Sequence, residues 1–197
     1  SPNSSPTMTY TYYTNNTCTT QTSTSHGASA AGGAPSLAGQ YYVKASAAAV
    51  STKTNAASSA CTSHKINAAT PTVSLTAKET TYTGSAIAAN TATVSPNSNP
   101  TITYTYYTNS ACSTQTGTTV ATGLAASAGA APVVAGQYYV KASAAAVTGK
   151  TGAATSGCVS HKINPKAVTV TAGTSSRAWN GSALTNSSCT VTSGSLG

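Results

Sequence analysis

Apolar and polar residues alternate in several short segments of this chain, which is the pattern typical of half-buried β-strands. Residues 7–14 read TMTYTYYT, so that Met8, Tyr10 and Tyr12 fall on one face and threonines fall on the other. A second copy of this segment has Ile102 in the place of Met8. Because methionine and isoleucine share bulk and apolarity, we predict that this face points towards a core.

Three further segments have the same character and are predicted to be strands. Residues 38–50 read AGQYYVKASAAAV, with Tyr41 and Val43 on one face and Lys44 on the other. The other two segments are residues 61–66 and 72–77. Stretches that contain Gly and Pro separate them, and short strands divided by such turns favour an all-β fold of the β-sandwich type.

The chain also repeats itself along its length. Residues 95–108 nearly copy residues 1–14, and residues 135–147 copy residues 38–50. The period is about 95 residues, which is the length of one small domain and too long for a solenoid turn. Copied modules of this kind are typical of stalks and spacers, so the repetition favours a structural function.

The frame of the repeat predicts three parts. Residues 68–94 align with residues 165–191 without a gap, so that Tyr82 aligns with Trp179. The predicted parts are a repeat lacking its opening strands at 1–67, a complete repeat at 68–164 and the opening strands of a third repeat at 165–197.

Two cysteines occupy equivalent positions in each of the first two repeats. Cys18 corresponds to Cys112, and Cys61 corresponds to Cys158. This register predicts one disulfide in each repeat and hence an oxidising compartment. Closing a loop of this size contributes about 3 to 4 kcal/mol in the chain-entropy model. Free structural thiols and a metal or thiol-chemistry site are the alternatives.

Histidines near the cysteines raise the metal alternative. Cys61 precedes His64 by three residues, and Cys158 precedes His161 in the same way. An odd spacing in an extended strand places the two side chains on opposite faces, and tetrahedral zinc needs four ligands. We therefore predict no metal site. Cys189 has no cysteine counterpart in the preceding repeat, which makes it a candidate for a disulfide between molecules.

The net charge and the scarcity of acids indicate which kinds of partner the chain can bind. Nine lysines and arginines stand against a single acid, Glu79, and the net charge is +8. The basic residues are scattered, whereas a nucleic-acid interface needs them clustered, so we predict no nucleic-acid partner. The charge suits contact with anionic wall polymers or glycans, and it equally suits a neutral surface with a few solubilising lysines.

Catalysis is disfavoured by the same composition. General acid-base chemistry needs two carboxylates or a histidine with an orienting partner, and Glu79 aligns with Ser176 in the next repeat. His26 has no counterpart in the second repeat and is predicted to lie in a loop. We predict no catalytic residue and no cofactor. No run of about 18 apolar residues is present, so no membrane span is predicted in this segment.

Three strings carry a resemblance to a known family: PTVSLTAKETTYTGSAIAANTATV, TITYTYYTNSACSTQT and AGQYYVKASAAAV. They resemble the tandem bacterial immunoglobulin-like (Big/MBG-like) repeats of Gram-positive cell-surface or secreted proteins, over essentially the whole chain. The resemblance implies tandem immunoglobulin-like β-sandwiches, with Tyr41 and Tyr138 in the position of the tyrosine corner. It implies spacing, stalk formation or adhesion.

The expected function is therefore that of an extracellular or cell-surface structural protein forming a stalk, spacer or filament. Its expected partners are neighbouring repeats or copies of itself. Two alternatives stay open. In the first, residues 165–197 of one copy add strands to residues 1–67 of the next, which builds a head-to-tail fibre. In the second, Tyr42 and Tyr139 contact glycans in an adhesin module.

Overall fold

A computed structural model describes residues 6–26, 33–186 and 188–193. Within these ranges the chain is all-β and contains no helix, which confirms the predicted all-β class. The strands are β1 Met8–Tyr13, β2 Gln21–His26, β3 Gly39–Ala47, β4 Ala57–Ser58, β5 Thr62–Ile66, β6 Thr72–Ser74, β7 Lys78–Thr81, β8 Thr93–Ser95, β9 Thr101–Tyr107, β10 Gln115–Thr122, β11 Gly136–Ala144, β12 Ala154–Thr155, β13 Val159–Asn164, β14 Thr169–Ala172 and β15 Cys189–Ser193.

Contacts divide the chain into two compact units. The first unit contains the residues up to Pro71 together with Ala146–Ala153. The second contains Thr72–Ala145 and the residues from Ala154 onwards. The repeat boundaries at residues 67 and 164 stay a prediction.

The first unit contains a five-stranded sheet. Its strand order is β2-β1-β3-β4, and β5 also pairs with β3. The pairing of β1 with β3 is antiparallel and runs from Met8 opposite Ala47 to Tyr13 opposite Tyr42. Threonine and tyrosine suit these strands because branched and aromatic side chains pack well on a pleated surface.

The second unit contains a larger sheet of the same design. Its order is β10-β9-β11-β13-β7, with β12 also paired to β11. Ile102 lies opposite Ala144, which is the same register that Met8 and Ala47 have in the first unit. The last pairing, between β13 and β7, is parallel. A separate antiparallel ladder joins β6 to β8, with Val73 opposite Val94.

The core of the second unit lies between this ladder and the six-stranded sheet. Ile102, Tyr104 and Tyr106 of β9 are each 0% exposed, so the prediction that this face points towards a core is confirmed here. They cluster with Val73 and Val94 of the ladder. In the first unit the equivalent Met8 and Tyr10 are only half-buried.

The strands β14 and β15 form a second two-stranded ladder. Val170 lies opposite Val191, which repeats the register of Val73 and Val94 one period later. All described residues of these two strands are exposed, in contrast to the buried valines of β6 and β8.

Several strand predictions need correction. β6 ends at Ser74, three residues before the predicted end of the segment 72–77. His26 ends β2, where its backbone pairs with that of Thr9, so its assignment to a loop was wrong. Residues 21–26 read QTSTSH and contain no large apolar residue. The alternation of apolar and polar residues that predicts a strand is therefore missing from this segment.

Candidate functional site

The four repeated cysteines are joined in two disulfides. Cys18 bonds to Cys61 and Cys112 bonds to Cys158, with Cα–Cα distances of 5.9 and 6.1 Å. Each bridge ties the turn after the first long strand of the repeat to the start of the last strand. Cys189 is an exposed free thiol, and its participation in a bond between molecules stays a prediction.

A repeated asparagine shapes the turn that carries the first cysteine of each pair. The Asn15 side-chain oxygen accepts hydrogen bonds from the amides of Thr19 and Thr20, both at 3.0 Å. Asn109 does the same in the second repeat. Cys18 and Cys112 lie within these turns at φ values of 53° and 50°. This left-handed conformation is unfavourable for a residue with a Cβ, so the asparagine and the disulfide hold it together.

Two tyrosines at the start of β3 and β11 bond back to the preceding loop. The Tyr41 hydroxyl donates to the carbonyl of Leu37 at 3.1 Å, and the Tyr138 hydroxyl donates to that of Val134 at 3.1 Å. Each bond fixes the corner where the chain enters its longest strand. Tyr42 and Tyr139, the candidate glycan contacts, are half-buried, and glycan binding stays a prediction.

The hydroxyls of two core tyrosines connect the layers of the second unit. The Tyr106 hydroxyl accepts from the Ala89 amide at 2.9 Å, and the Tyr104 hydroxyl accepts from the Ala92 amide at 2.9 Å. Tyr104 also donates to the carbonyl of Leu124. Burial raises the pKa of both tyrosines, so the hydroxyls remain protonated. The alternation of residues 101–107 predicted the inward rings, but the partners of the hydroxyls lie in other segments.

His161 lies in the core beside these tyrosines. Its side chain is 0% exposed, and its ring lies edge-on to that of Tyr106 with 5.5 Å between centroids. Neither ring nitrogen makes a hydrogen bond. Burial, and secondly the nearby charge of Lys78, lower the histidine pKa below its usual 6.5. The backbone of Ile87 raises the pKa of His161, but it is not positioned to form a hydrogen bond with either ring nitrogen. His161 is therefore a neutral core residue.

We expect the second unit to lose stability as the pH falls below 6.5. The unfolded chain binds a proton at His161 in this range, whereas the folded state resists it, so protonation favours unfolding. Urea unfolding between about pH 7 and pH 5 measures the effect. His161→Phe should flatten the pH dependence, and His64→Phe, at the half-buried equivalent in the first repeat, should retain it. Parallel losses in the wild type and His161→Phe would contradict this assignment.

The single acid lies in an exposed ion pair. The parallel pairing of β13 with β7 places Lys162 opposite Glu79, and the Lys162 Nζ is 3.0 Å from the Glu79 Oε1. The Asn164 side-chain amide donates to the same oxygen at 2.9 Å. These two hydrogen bonds, Asn164 first, and the charge of Lys162 lower the pKa of Glu79. The side chains of Lys162 and Glu79 are 45% and 60% exposed, so solvent screens the pair.

This cluster is poorly suited to proton transfer. A general acid at neutral pH needs a raised carboxyl pKa, and that of Glu79 is lowered. The first repeat carries Lys65 and Asn67 at the equivalent positions but has no acid, because Glu79 is the only acid in the chain. The ion pair and hydrogen bonds of Glu79 are therefore not part of the structure that recurs in both repeats.

Metal ions in proteins are held by clusters of His, Cys, Asp and Glu side chains. Across residues 6–26, 33–186 and 188–193, no three of these side chains lie close enough together to hold a metal ion. The same ranges contain no helix that is long and apolar enough to cross a membrane.

Comparison with known proteins returned no relative: no protein-family model, curated protein or solved structure matches this chain. The resemblance to bacterial immunoglobulin-like repeats stays a prediction. The geometry in the described residues defines an all-β repeat protein with one disulfide in each of two repeats. Its repeated features hold turns and strands in place.

Proposed function

We propose that this chain is a segment of tandem immunoglobulin-like repeats in an extracellular structural protein, where it forms a stalk, spacer or filament on or from the cell surface. The observation that carries the proposal is that the scaffold is duplicated and the ion pair of the single acid is not. Strand register, disulfide and loop-bonding tyrosine recur in both repeats. The ion pair of Glu79 occurs once.

Two features of the second unit support an immunoglobulin-like sandwich. A ladder of two strands packs on a sheet of six, and the core between them combines Ile102, Tyr104 and Tyr106 with valines and alanines. The Tyr138 hydroxyl bonds to a carbonyl four residues upstream, as the tyrosine corner of that fold does. A module of this size with a thin core gains substantially from its disulfide.

The disulfides support an extracellular location. Structural disulfides form and persist in oxidising compartments and are rare in the cytosol. Both bridges span more than forty residues of their repeat, with sequence separations of 43 and 46. They therefore tie together segments that are far apart in each repeat, which suits a protein that must stay folded outside the cell.

Labelling of intact cells tests the proposal. Antibodies raised against the oxidised chain should decorate the outside of intact cells of the organism that makes it, on extended projections visible by electron microscopy. A cytosolic protein labelled in parallel serves as the control for cell integrity. Labelling that requires permeabilised cells would overturn the proposal.

The exposed β14–β15 ladder favours a second candidate, a fibre assembled by strand addition. Val170 and Val191 are 53% and 38% exposed, and Leu184 and Trp179 are 51% and 92% exposed. The equivalent Val73, Val94 and Ile87 are buried in the second unit. Donation of this ladder to the body of another copy would bury the same positions. Size measurement after dilution tests it: a stable monomer in non-denaturing buffer would contradict strand exchange, and a polymer that survives dilution would support it.

A further inference from the structure

The sheet of the first unit has an inner face that is less buried than its counterpart in the second unit. Val43 and Ala45 of β3 correspond to Val140 and Ala142 of β11, with the same residues in the same register against the neighbouring strand. The two residues of β11 are 1% and 0% exposed, whereas those of β3 are only half-buried. Because the residues are identical, the difference in burial comes from what packs on the face.

One stretch of chain packs on this face in the second unit. It consists of residues 72–95, from β6 to β8, and we call it the opening segment. Its Val73 and Val94 belong to the same apolar cluster as Tyr104 and Ala142. Strand β6 also contacts β11 and β12. A sheet with this inner face therefore accepts an opening segment as its second layer.

The first unit has an open cavity at the position that corresponds to this contact of β6. The cavity has a volume of about 330 Å³ and lies at the ends of β3 and β4, the counterparts of β11 and β12. The residues that line it are Ser46, Ala47, Ala56, Ala57 and Ser58. Strand β4 pairs with β3 in the register that β12 has with β11. Ser59, which follows β4, is exposed, whereas its counterpart Ser156 is 7% exposed.

The same sheet also has a free edge. Strand β13 pairs with β11 on one side and with β7 of the opening segment on the other. Its counterpart β5 pairs with β3 alone among the strands that the structure describes. The backbone groups on the outer side of β5 therefore have no strand partner there. An edge of this kind can accept an extended peptide as an additional strand.

Two polar side chains at this edge lack the acid that their counterparts bind. Lys162 and Asn164 donate to Glu79 of the opening segment at 3.0 and 2.9 Å. Lys65 and Asn67 occupy the equivalent positions in the first repeat and are exposed. Glu79 is the only acid in the chain, so the first unit contains no carboxylate for them. They are placed to bind a carboxylate on an incoming strand.

We propose that the inner face of the first unit and the free edge of β5 together bind an opening segment supplied by another repeat of this kind. The partner is an extended segment with valines at the positions of Val73 and Val94 and a carboxylate at the position of Glu79. This interaction surface rests on the proposed function as a tandem array and names what each repeat receives from its neighbour. Main-chain pairing and the apolar face supply the affinity, and Lys65 selects the acid.

Residues 169–193 of a second copy are a poorer match for this site. Ser176 occupies the position of Glu79 and has no carboxylate to offer. Asn186 occupies the position of Ala89, which is 7% exposed in the second unit. Burying the Asn186 amide there costs free energy because the site is lined by apolar residues. An opening segment that carries the acid is therefore the favoured partner.

Titration of the whole oxidised chain with a synthetic peptide of residues 70–95 tests the proposal. Calorimetry gives the dissociation constant, and amide hydrogen exchange locates the site. Exchange should slow at the amides of β5 that point away from β3. The amides of β13 are the internal control and should not change, because β7 already pairs with that strand. A peptide of residues 167–192 should bind more weakly than the peptide of residues 70–95.

Variants of the peptide separate the two parts of the site. Val94→Asp places a charge on the apolar face and should weaken binding at least about tenfold. Glu79→Gln removes only the exposed ion pair and should weaken binding about two- to fivefold. These changes leave the folded chain unaltered, so a loss of affinity cannot come from misfolding of the receptor.

A charge exchange tests the predicted register. Glu79→Lys in the peptide places two like charges together, and Lys65→Glu in the chain should restore the lost affinity. Lys166→Glu is the matched control, because Lys166 is exposed and lies in the second unit; it should not restore binding.

Three results would overturn the proposal: no binding of the peptide of residues 70–95, equal or tighter binding of the peptide of residues 167–192, or no restoration by Lys65→Glu. The cell-labelling experiment reports location and does not depend on this site. Surface labelling without peptide binding would therefore reject the interaction and leave the proposed function in place.

Discussion

Replacing Tyr104 with alanine should lower the free energy of unfolding of the second unit by about 3 to 5 kcal/mol. The side chain is 0% exposed and packs between the β9 sheet and the β6–β8 ladder. Its loss removes the buried ring and leaves a cavity between two layers that cannot collapse freely. The truncation also removes the hydroxyl that bonds to both the Ala92 amide and the Leu124 carbonyl, which then keep only their direct bond to each other at 3.2 Å.

Tyr104→Phe measures the contribution of the hydroxyl to stability separately from that of the ring. The ring is kept and the Ala92 amide still donates to the Leu124 carbonyl, so the loss should fall to about 0.5 to 1.5 kcal/mol, the net contribution of a hydrogen bond. Tyr10→Ala is the matched control, because Tyr10 occupies the equivalent position in the first repeat and is only half-buried. Urea unfolding with the disulfides intact measures all three variants. Equal losses for Tyr104→Ala and Tyr10→Ala would contradict the assigned difference in burial.

Removing the disulfide of the second repeat should cost about 3 to 4 kcal/mol of unfolding free energy. Cys112 and Cys158 are 46 residues apart in sequence, so the bridge excludes many extended conformations of the unfolded chain. Cys112→Ala combined with Cys158→Ala removes the bridge without leaving a reactive thiol. The loss should appear as a lower urea midpoint, and the slope should rise because the unfolded chain becomes more expanded.

Cys189→Ala is the control for this experiment. Cys189 is exposed and forms no bridge within the described part of the chain, so its replacement should leave the midpoint unchanged. Intact mass after reduction and alkylation provides a second readout, since two bridges add four alkyl groups to the one on the free thiol. An unchanged midpoint in the double variant, or alkylation of all five cysteines without reductant, would contradict the bridge.

The strands with a strong alternating pattern were predictable, and those without one were not. β9 reads TITYTYY, and its period of two places Ile102, Tyr104 and Tyr106 together on the buried face. β10 reads QTGTTVAT and pairs with β9 along its whole length, yet its small and polar residues carry no clear period. The position of β10 is set by its backbone pairing with β9, so its own sequence does not need an alternating pattern of apolar and polar residues.

The residues of the candidate sites also divide into those that the sequence predicts and those that it does not. The aligned positions of the cysteines predicted which pairs would meet, because a copied module must copy its bridge. The burial of His161 and the pairing of Glu79 with Lys162 depend on the parallel alignment of β13 with β7, which joins segments about eighty residues apart. No local pattern specifies that alignment.

Tyr10 and Tyr104 show that the sequence pattern predicts the face of a strand but not how deeply a side chain is buried. Both lie in a TYTYYT segment, and each pairs with the equivalent strand of its own repeat in the same register, Tyr10 with Ala45 and Tyr104 with Ala142. The sequence by itself determined the repeat, the strand, the face and the cysteine register, because these follow from local periodicity and copying. Only the tertiary structure decided that Tyr104 is fully buried and Tyr10 is not. Burial requires a second layer, and the β6–β8 ladder, whose strand β8 comes directly before β9 in the chain, provides that layer to Tyr104.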